Sequence, residues 1–187
     1  MDYSSSPRTA ELIKDLGLIP HPEGGFFVET DRQDVQTPSP YADGALRSLS
    51  TTIFYLLTAD NPSGKIHMNK SITMHVHHTG RAEYTLITPS PEKGGLPAIK
   101  RVVMGPNASA GEQRQLLVGT GVWKMSRLLD VDLKGPDLER TGCLITEVVI
   151  PGFHWEDHKY LTQTELEEMF AANRERVLEF LVHVKGE

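Results

Sequence analysis

The sequence has a single cysteine, no excess of basic residues and no long apolar run. One cysteine, Cys143, cannot close an intrachain disulfide, so a reducing compartment is expected; set in the apolar run CLITEVVI, its thiol reads as buried and inert. The 19 Lys and Arg against 25 Asp and Glu give a formal charge of −6. That balance lacks the basic face that displaces counterions from phosphate, so nucleic acid is not an expected partner. No stretch approaches the roughly 20 apolar residues that span a bilayer, and MDYSSSPRTAE has no basic start followed by an apolar run. Neither a membrane partner nor a secretory signal is expected, and the expected location is the cytoplasm. G-x-S-x-G, the P-loop and G-x-G-x-x-G are also missing, which removes serine hydrolase and nucleoside-triphosphatase readings.

At 187 residues, 39% hydrophobic and 24% charged, the chain fits one globular domain. Residues 1–8 read as a flexible tail and 9–187 as the domain. Thr9 is placed to cap a short helix, AELIKDLG, which Gly17 ends. LIPHPEGG then blocks regular structure with Pro20 and Pro22 and frees the backbone at Gly24 and Gly25. Nine short strands follow from period-two patterns and turn residues: 26–32, 50–57, 65–70, 74–78, 82–88, 99–105, 113–119, 122–129 and 143–150. With no helix between them they predict an all-β antiparallel fold, a barrel or a two-sheet jelly roll. Residues 33–46 and 89–97 read as loops. Thr164 and Glu167 form an expected capping box, and Leu166, Met169, Phe170, Val177, Leu178 and Leu181 recur at helical spacing to about residue 183. That stripe is expected to pack on the β body or on a second subunit.

The stretch KIHMNKSITMHVHHTG, residues 65–80, holds four histidines. In a strand His75 and His77 share a face and His78 opposes them, with His67 on the preceding strand or turn and a turn at Thr79-Gly80. Three readings stay open: a divalent metal held by converging imidazoles, a metal-free pocket using one histidine as acid or base, and a solvated strand face.

The ordered runs LIPHPEGGFFVET, STTIFYLL, SGKIHMNKSITMHVHHTG, VGTGVWKMSRL and IPGFHWEDHKYLT resemble the cupin_5 family of the cupin superfamily, over residues 12–162. The resemblance implies a cupin double-stranded β-helix with a short N-terminal helix and a C-terminal helix, its barrel core at about 25–160, and a homodimer. The first cupin pattern, G-x5-H-x-H-x3-E-x6-G, puts its metal ligands at His67, Asn69 and Thr73, with Asn61 at the opening glycine. The second puts the fourth ligand at Lys124. Only His67 matches, and a protonated lysine cannot ligate. No cofactor is therefore favoured; a divalent metal, if bound, would use His67 and His75. The superfamily includes sugar isomerases and metal-free dTDP-sugar epimerases, so the resemblance implies a small-molecule pocket for a sugar or nucleotide-sugar, with His67 or His75 as the catalytic group. The alternatives are a non-catalytic binding or storage module and a metalloenzyme with irregular ligands.

Other ligand-binding candidates are Tyr55 and Trp123, as flat apolar surface, and Lys124, as fixed positive charge. Strand alternation puts Trp123 and Lys124 on opposite faces, so at most one of them points inward. Glu23 and Glu29 are candidates for the pocket entrance, Glu29 with Arg47 or Arg127 as its partner. Phe153 and Glu156 belong to a segment expected to return over the barrel, where a carboxylate could orient an imidazole.

Overall fold

The computed structural model describes residues 7–92, 94–170 and 173–186; the first six positions of the expected tail lie outside the described residues. In chain order the elements are α1 Thr9–Leu16, β1 Ile19–Pro20, β2 Phe26–Arg32, β3 Gln36–Pro38, β4 Leu46–Ser48, β5 Thr51–Thr58, β6 His67–Asn69, β7 Ile72–Gly80, β8 Ala82–Thr88, β9 Ala98–Met104, β10 Gln115–Val118, β11 Trp123–Arg127, β12 Gly142–Ile150, β13 His158–Tyr160, α2 Gln163–Met169 and α3 Arg174–Leu181. The strands form a six-stranded sheet, β1-β2-β5-β12-β7-β10, and a five-stranded sheet, β13-β6-β11-β8-β9, with β3 and β4 as a separate pair. All named strand pairs are antiparallel. This is the jelly roll expected of the pattern, built as two facing sheets rather than a closed barrel. One seam is stitched where Gln113 donates to the Val103 carbonyl at 2.9 Å.

Period-two alternation sorts the faces. On β12, Cys143 and Ile145 enter the apolar core between the sheets, while Leu144 faces outward against Leu18, Leu56 and the Leu12, Ile13 and Leu16 side of α1. Burial pushes the Cys143 thiol up to about 12, so it stays protonated and inert. Further along the same strand, Glu147 and Val149 line a cavity instead of the core. The interior therefore passes along β12 from apolar packing to a polar hollow.

The outer face of the five-stranded sheet is covered by the C-terminal helices: Leu166, Phe170, Phe180 and Val184 pack on Ile66, Ile87, Trp123 and Leu161. Burying one such side chain is worth about 1.5–3 kcal/mol. The apolar stripe is thus used within the chain except at Leu178, which is 60% exposed. The single helix expected over 164–183 is two helices. Asn173 caps the second by accepting from the Arg176 N–H at 3.2 Å, and Ala171 and Ala172 lie outside the described residues. The capping box falls two residues earlier than expected: Thr162 accepts from the Glu165 N–H at 3.2 Å, and the Glu165 carboxylate accepts from the Thr162 N–H at 3.1 Å.

Other local expectations also shift. Thr9 is the first residue of α1, with Arg8 at the cap position, and Gly17 ends it in the left-handed conformation. β7 continues through Thr79 to Gly80, because β12 pairs with it as far as Cys143–Gly80. The segment read as a 33–46 loop contains β3 and the start of β4.

Candidate functional site

The cavity lies between the sheets and measures about 180 Å³. Its floor joins both sheets. Lys124 on β11 reaches across to β12 and β7, where its Nζ donates to Glu147 Oε1 at 2.7 Å and lies 3.0 Å from His75 Nε2. Glu147 and His75 are direct cross-strand partners, with His75 Nε2 and Glu147 Oε2 3.0 Å apart. All three side chains are nearly fully buried. Burial alone would raise the Glu147 carboxyl, but Lys124 and His75 outweigh it and hold it well below the usual carboxylate range. Burial and the neighbouring ammonium both push His75 down, so the trio is a Lys⁺–Glu⁻ pair beside a neutral imidazole.

The wall is a second cluster, centred on Glu23. Its Oε1 accepts from His158 Nε2 at 2.6 Å, and its Oε2 lies 3.2 Å from His67 Nδ1 and 3.8 Å from His21 Nδ1. The His67 and His158 rings stack at 5.3 Å. Gly24 and Gly25 deliver Glu23 to this place. Both have positive φ, and a Cβ would stand 2.5 Å from the Ser63 carbonyl oxygen at Gly24 and 2.7 Å from that of Leu56 at Gly25, so only glycine lets the loop press onto its neighbours. Although burial opposes it, the Glu23 carboxyl sits at about 2 because imidazoles surround it. Burial pushes His67 down to about 4 against the pull of Glu23, leaving its ring neutral at neutral pH.

Hydrogen bonds set the His67 tautomer. Nδ1 lies 2.9 Å from the Lys65 carbonyl, which can only accept, so Nδ1 carries the proton and Nε2 carries a lone pair. Among the described residues Nε2 makes no hydrogen bond. His67 is the direct cross-strand partner of Lys124, and Asn69 follows it by two on the same face. Base, cation and amide therefore converge by register.

The cavity brings together several residues proposed from the sequence: His67, His75, Glu23, Glu29, Tyr55, Lys124 and Phe153 all line it. Trp123 does not. It is buried under α2 and α3, because Lys124 takes the inward position at that point of β11. Glu156 also lies outside the cavity, 72% exposed and 3.3 Å from Arg47. Arg47 is committed to Asp157, which it holds at 2.7 Å and 3.2 Å. The partner of Glu29 is instead Arg32, and Arg127 binds Glu83.

Sequence reasoning missed Glu147 and His158 and weighed Asn69 only as a substituted ligand. Glu147 had a readable signal, being the one carboxylate inside the run CLITEVVI, at the same strand parity as Ile145 and Val149. His158 had none beyond its crowded segment, since its contact with Glu23 spans 135 residues.

Residues 10–161 match the family described as Cupin_5, Cupin superfamily (DUF985). The chain belongs to the Cupin_5 family. An uncharacterized Saccharomyces cerevisiae protein, YML079W, is 38% identical over 181 residues, covering 91% of this chain and 84% of that one. A hypothetical protein from Leishmania major is similar in structure, with TM-score 0.78 and 27% identity over 92% of this chain and 98% of that one. A Shewanella oneidensis protein shares the fold at TM-score 0.75 and 22% identity, covering 97% and 99%. The cupin metal positions do not fit a metal in this member: the fourth ligand is the ammonium of Lys124, already donating to Glu147. A different set, Glu23, His67 and His158, brings one ligand atom each within 4.8 Å. The carboxylates beside the histidines are Glu23 at His67 and Glu147 at His75, not Glu156.

Proposed function

We propose that this Cupin_5 protein binds a small carbonyl compound of sugar type in the cavity and moves a proton at the carbon next to the carbonyl, as an isomerase or epimerase. The observation that supports this reading best is the free Nε2 lone pair of His67, beside Lys124 across the β6–β11 register. His67 takes the proton through Nε2, while Lys65 and Glu23 at Nδ1 orient the ring and stabilise the imidazolium that forms. Lys124 faces the oxygen on which negative charge develops, in a setting poor in water where that charge is worth most. At about 180 Å³ the hollow is smaller than the roughly 300–1,000 Å³ of drug-sized sites, so the sugar unit enters and any nucleotide stays outside, past Phe153 and Trp155. A cytoplasmic homodimer is the setting we propose, from the family resemblance and the single buried thiol.

The test is solvent exchange: protein in deuterium oxide is mixed with a panel of small ketoses and aldoses, and loss of the α-proton signal is followed by NMR. Exchange that disappears in His67→Ala supports the reading. Binding without exchange leaves the non-catalytic binding module. A second reading, a metalloenzyme, is favoured by the Glu23, His67 and His158 grouping, a carboxylate and two imidazoles that fit a divalent transition metal. Such a metal would polarise a bound oxygen, and Glu147 and Lys124 would then orient the ligand. Stoichiometric metal in protein purified without chelator, lost in His158→Ala, would replace the first reading with this one.

A further inference from the structure

The polar groups that the cavity leaves unfilled describe the ligand more closely. A lysine ammonium has three N–H donors; Lys124 spends one on Glu147 and directs another at His75, which leaves one. The His67 Nε2 lone pair is unused. Asn69 lines the cavity, is 8% exposed, and its side-chain amide makes no hydrogen bond among the described residues, with Oδ1 buried and unpartnered. A buried amide without a partner costs about 1–3 kcal/mol, so it is kept for something that fills it. A hydroxyl group, donor and acceptor at once, matches an amide.

The charges narrow the choice again. Of the groups lining the cavity, Glu23, Glu29 and Glu147 are anionic and only Arg32 and Lys124 are cationic. Arg32 is held by both oxygens of Glu29 and by the Phe153 carbonyl, and Lys124 is held by Glu147. No surplus cation is left to receive a phosphate, and the buried Glu23 would repel one.

We infer that the substrate is a small, uncharged, unphosphorylated α-hydroxy aldehyde or ketone, with Asn69 reading the hydroxyl beside the carbonyl. The inference rests on the proton-transfer reading and narrows it. Its chemistry is an aldose–ketose interchange. His67 Nε2 takes the proton from the carbinol carbon, the freed C–H electron pair becomes the enediolate double bond, and the carbonyl π pair moves onto the oxygen facing Lys124. The hydroxyl proton passes to that oxygen, and the His67 imidazolium returns its proton to the former carbonyl carbon. Atoms and charge balance without oxidant or co-reactant.

The experiment compares four probes with the wild-type protein: hydroxyacetone, dihydroxyacetone, dihydroxyacetone phosphate and butanone, each followed by deuterium incorporation. Exchange of the two hydroxyketones is expected to exceed that of butanone and of the phosphate by at least about tenfold, since a site built for a hydroxyl discriminates strongly against its absence. Dihydroxyacetone should also yield glyceraldehyde. Asn69→Leu should lower hydroxyacetone exchange at least about tenfold and so remove its preference over butanone; Asn69→Ser, a smaller polar change, serves if the leucine variant does not fold. Equal exchange of hydroxyacetone and butanone, indifferent to Asn69, overturns this inference and leaves proton transfer standing. Preference for the phosphate also overturns it. No exchange with any probe brings down both.

Discussion

Two clusters of buried charge each set a cation against carboxylate, to different ends. Arg81 grips Asp132 through Nε and one terminal nitrogen at 2.7 and 2.8 Å and Glu112 through the other at 3.1 Å, and the second Glu112 oxygen accepts from the Asn107 N–H at 2.8 Å. Every carboxylate oxygen there is satisfied, and the cluster braces three loops. Lys124, Glu147 and His75 are buried as deeply but border a hollow, and a lysine N–H remains unspent. Saturation marks a brace. Incompleteness beside a cavity marks a site, because the missing partner has room to arrive.

The largest test of that contrast is Arg81→Leu, which strands two buried carboxylates and should cost about 3–5 kcal/mol in urea unfolding. Glu147→Leu should cost less, about 2–3 kcal/mol, because it strands one buried charge, Lys124, where Arg81→Leu strands two. Adding Lys124→Met should recover most of that loss, since a matched apolar pair replaces an unmatched charge. If Glu147→Leu proves the costlier of the two single changes, the contrast is wrong.

Acid titration gives a smaller effect with a defined sign. His67 falls from an ordinary 6.5 to about 4 in the folded protein, so its contribution is complete above pH 6.5 and lost as the pH drops from there toward 4. Glu23, lowered from 4.5 to about 2, contributes above pH 4.5 and is lost as the pH drops toward 2. The urea midpoint should therefore begin to fall just below pH 6.5, before the carboxylates titrate. His67→Gln should flatten that arm; His21 and His75, also lowered by burial, keep part of it. The smallest change is Trp155→Ala at the cavity mouth. Trp155 is 56% exposed, so stability should move by no more than about 0.5 kcal/mol.

Much of the β body was legible in the sequence. FFVETDR and AEYTLIT are strands at their expected limits, and the parity that set Lys124 against Trp123 left one of them inward. The strands missed, Ile19–Pro20 in the stretch read as blocked by proline, Gln36–Pro38, Leu46–Ser48 and His158–Tyr160, are two or three residues each and held by pairing rather than by pattern. A run that short carries no period. The site divides in the same way. His67, His75 and Lys124 were visible as chemistry, whereas the pairing of Glu147 with His75 depends on β12 lying beside β7.

The sequence by itself determined the strand-rich fold, the single inert thiol, the acidic balance and, through alternation, which side chains share a face. Only the tertiary structure decided which face became a hollow and which carboxylates entered it. Side-chain parity is a local property of the backbone, but the meeting of Glu23 with His158, or of Lys124 with Glu147, depends on how two sheets and a glycine-bent loop pack. That packing is set by the whole core at once.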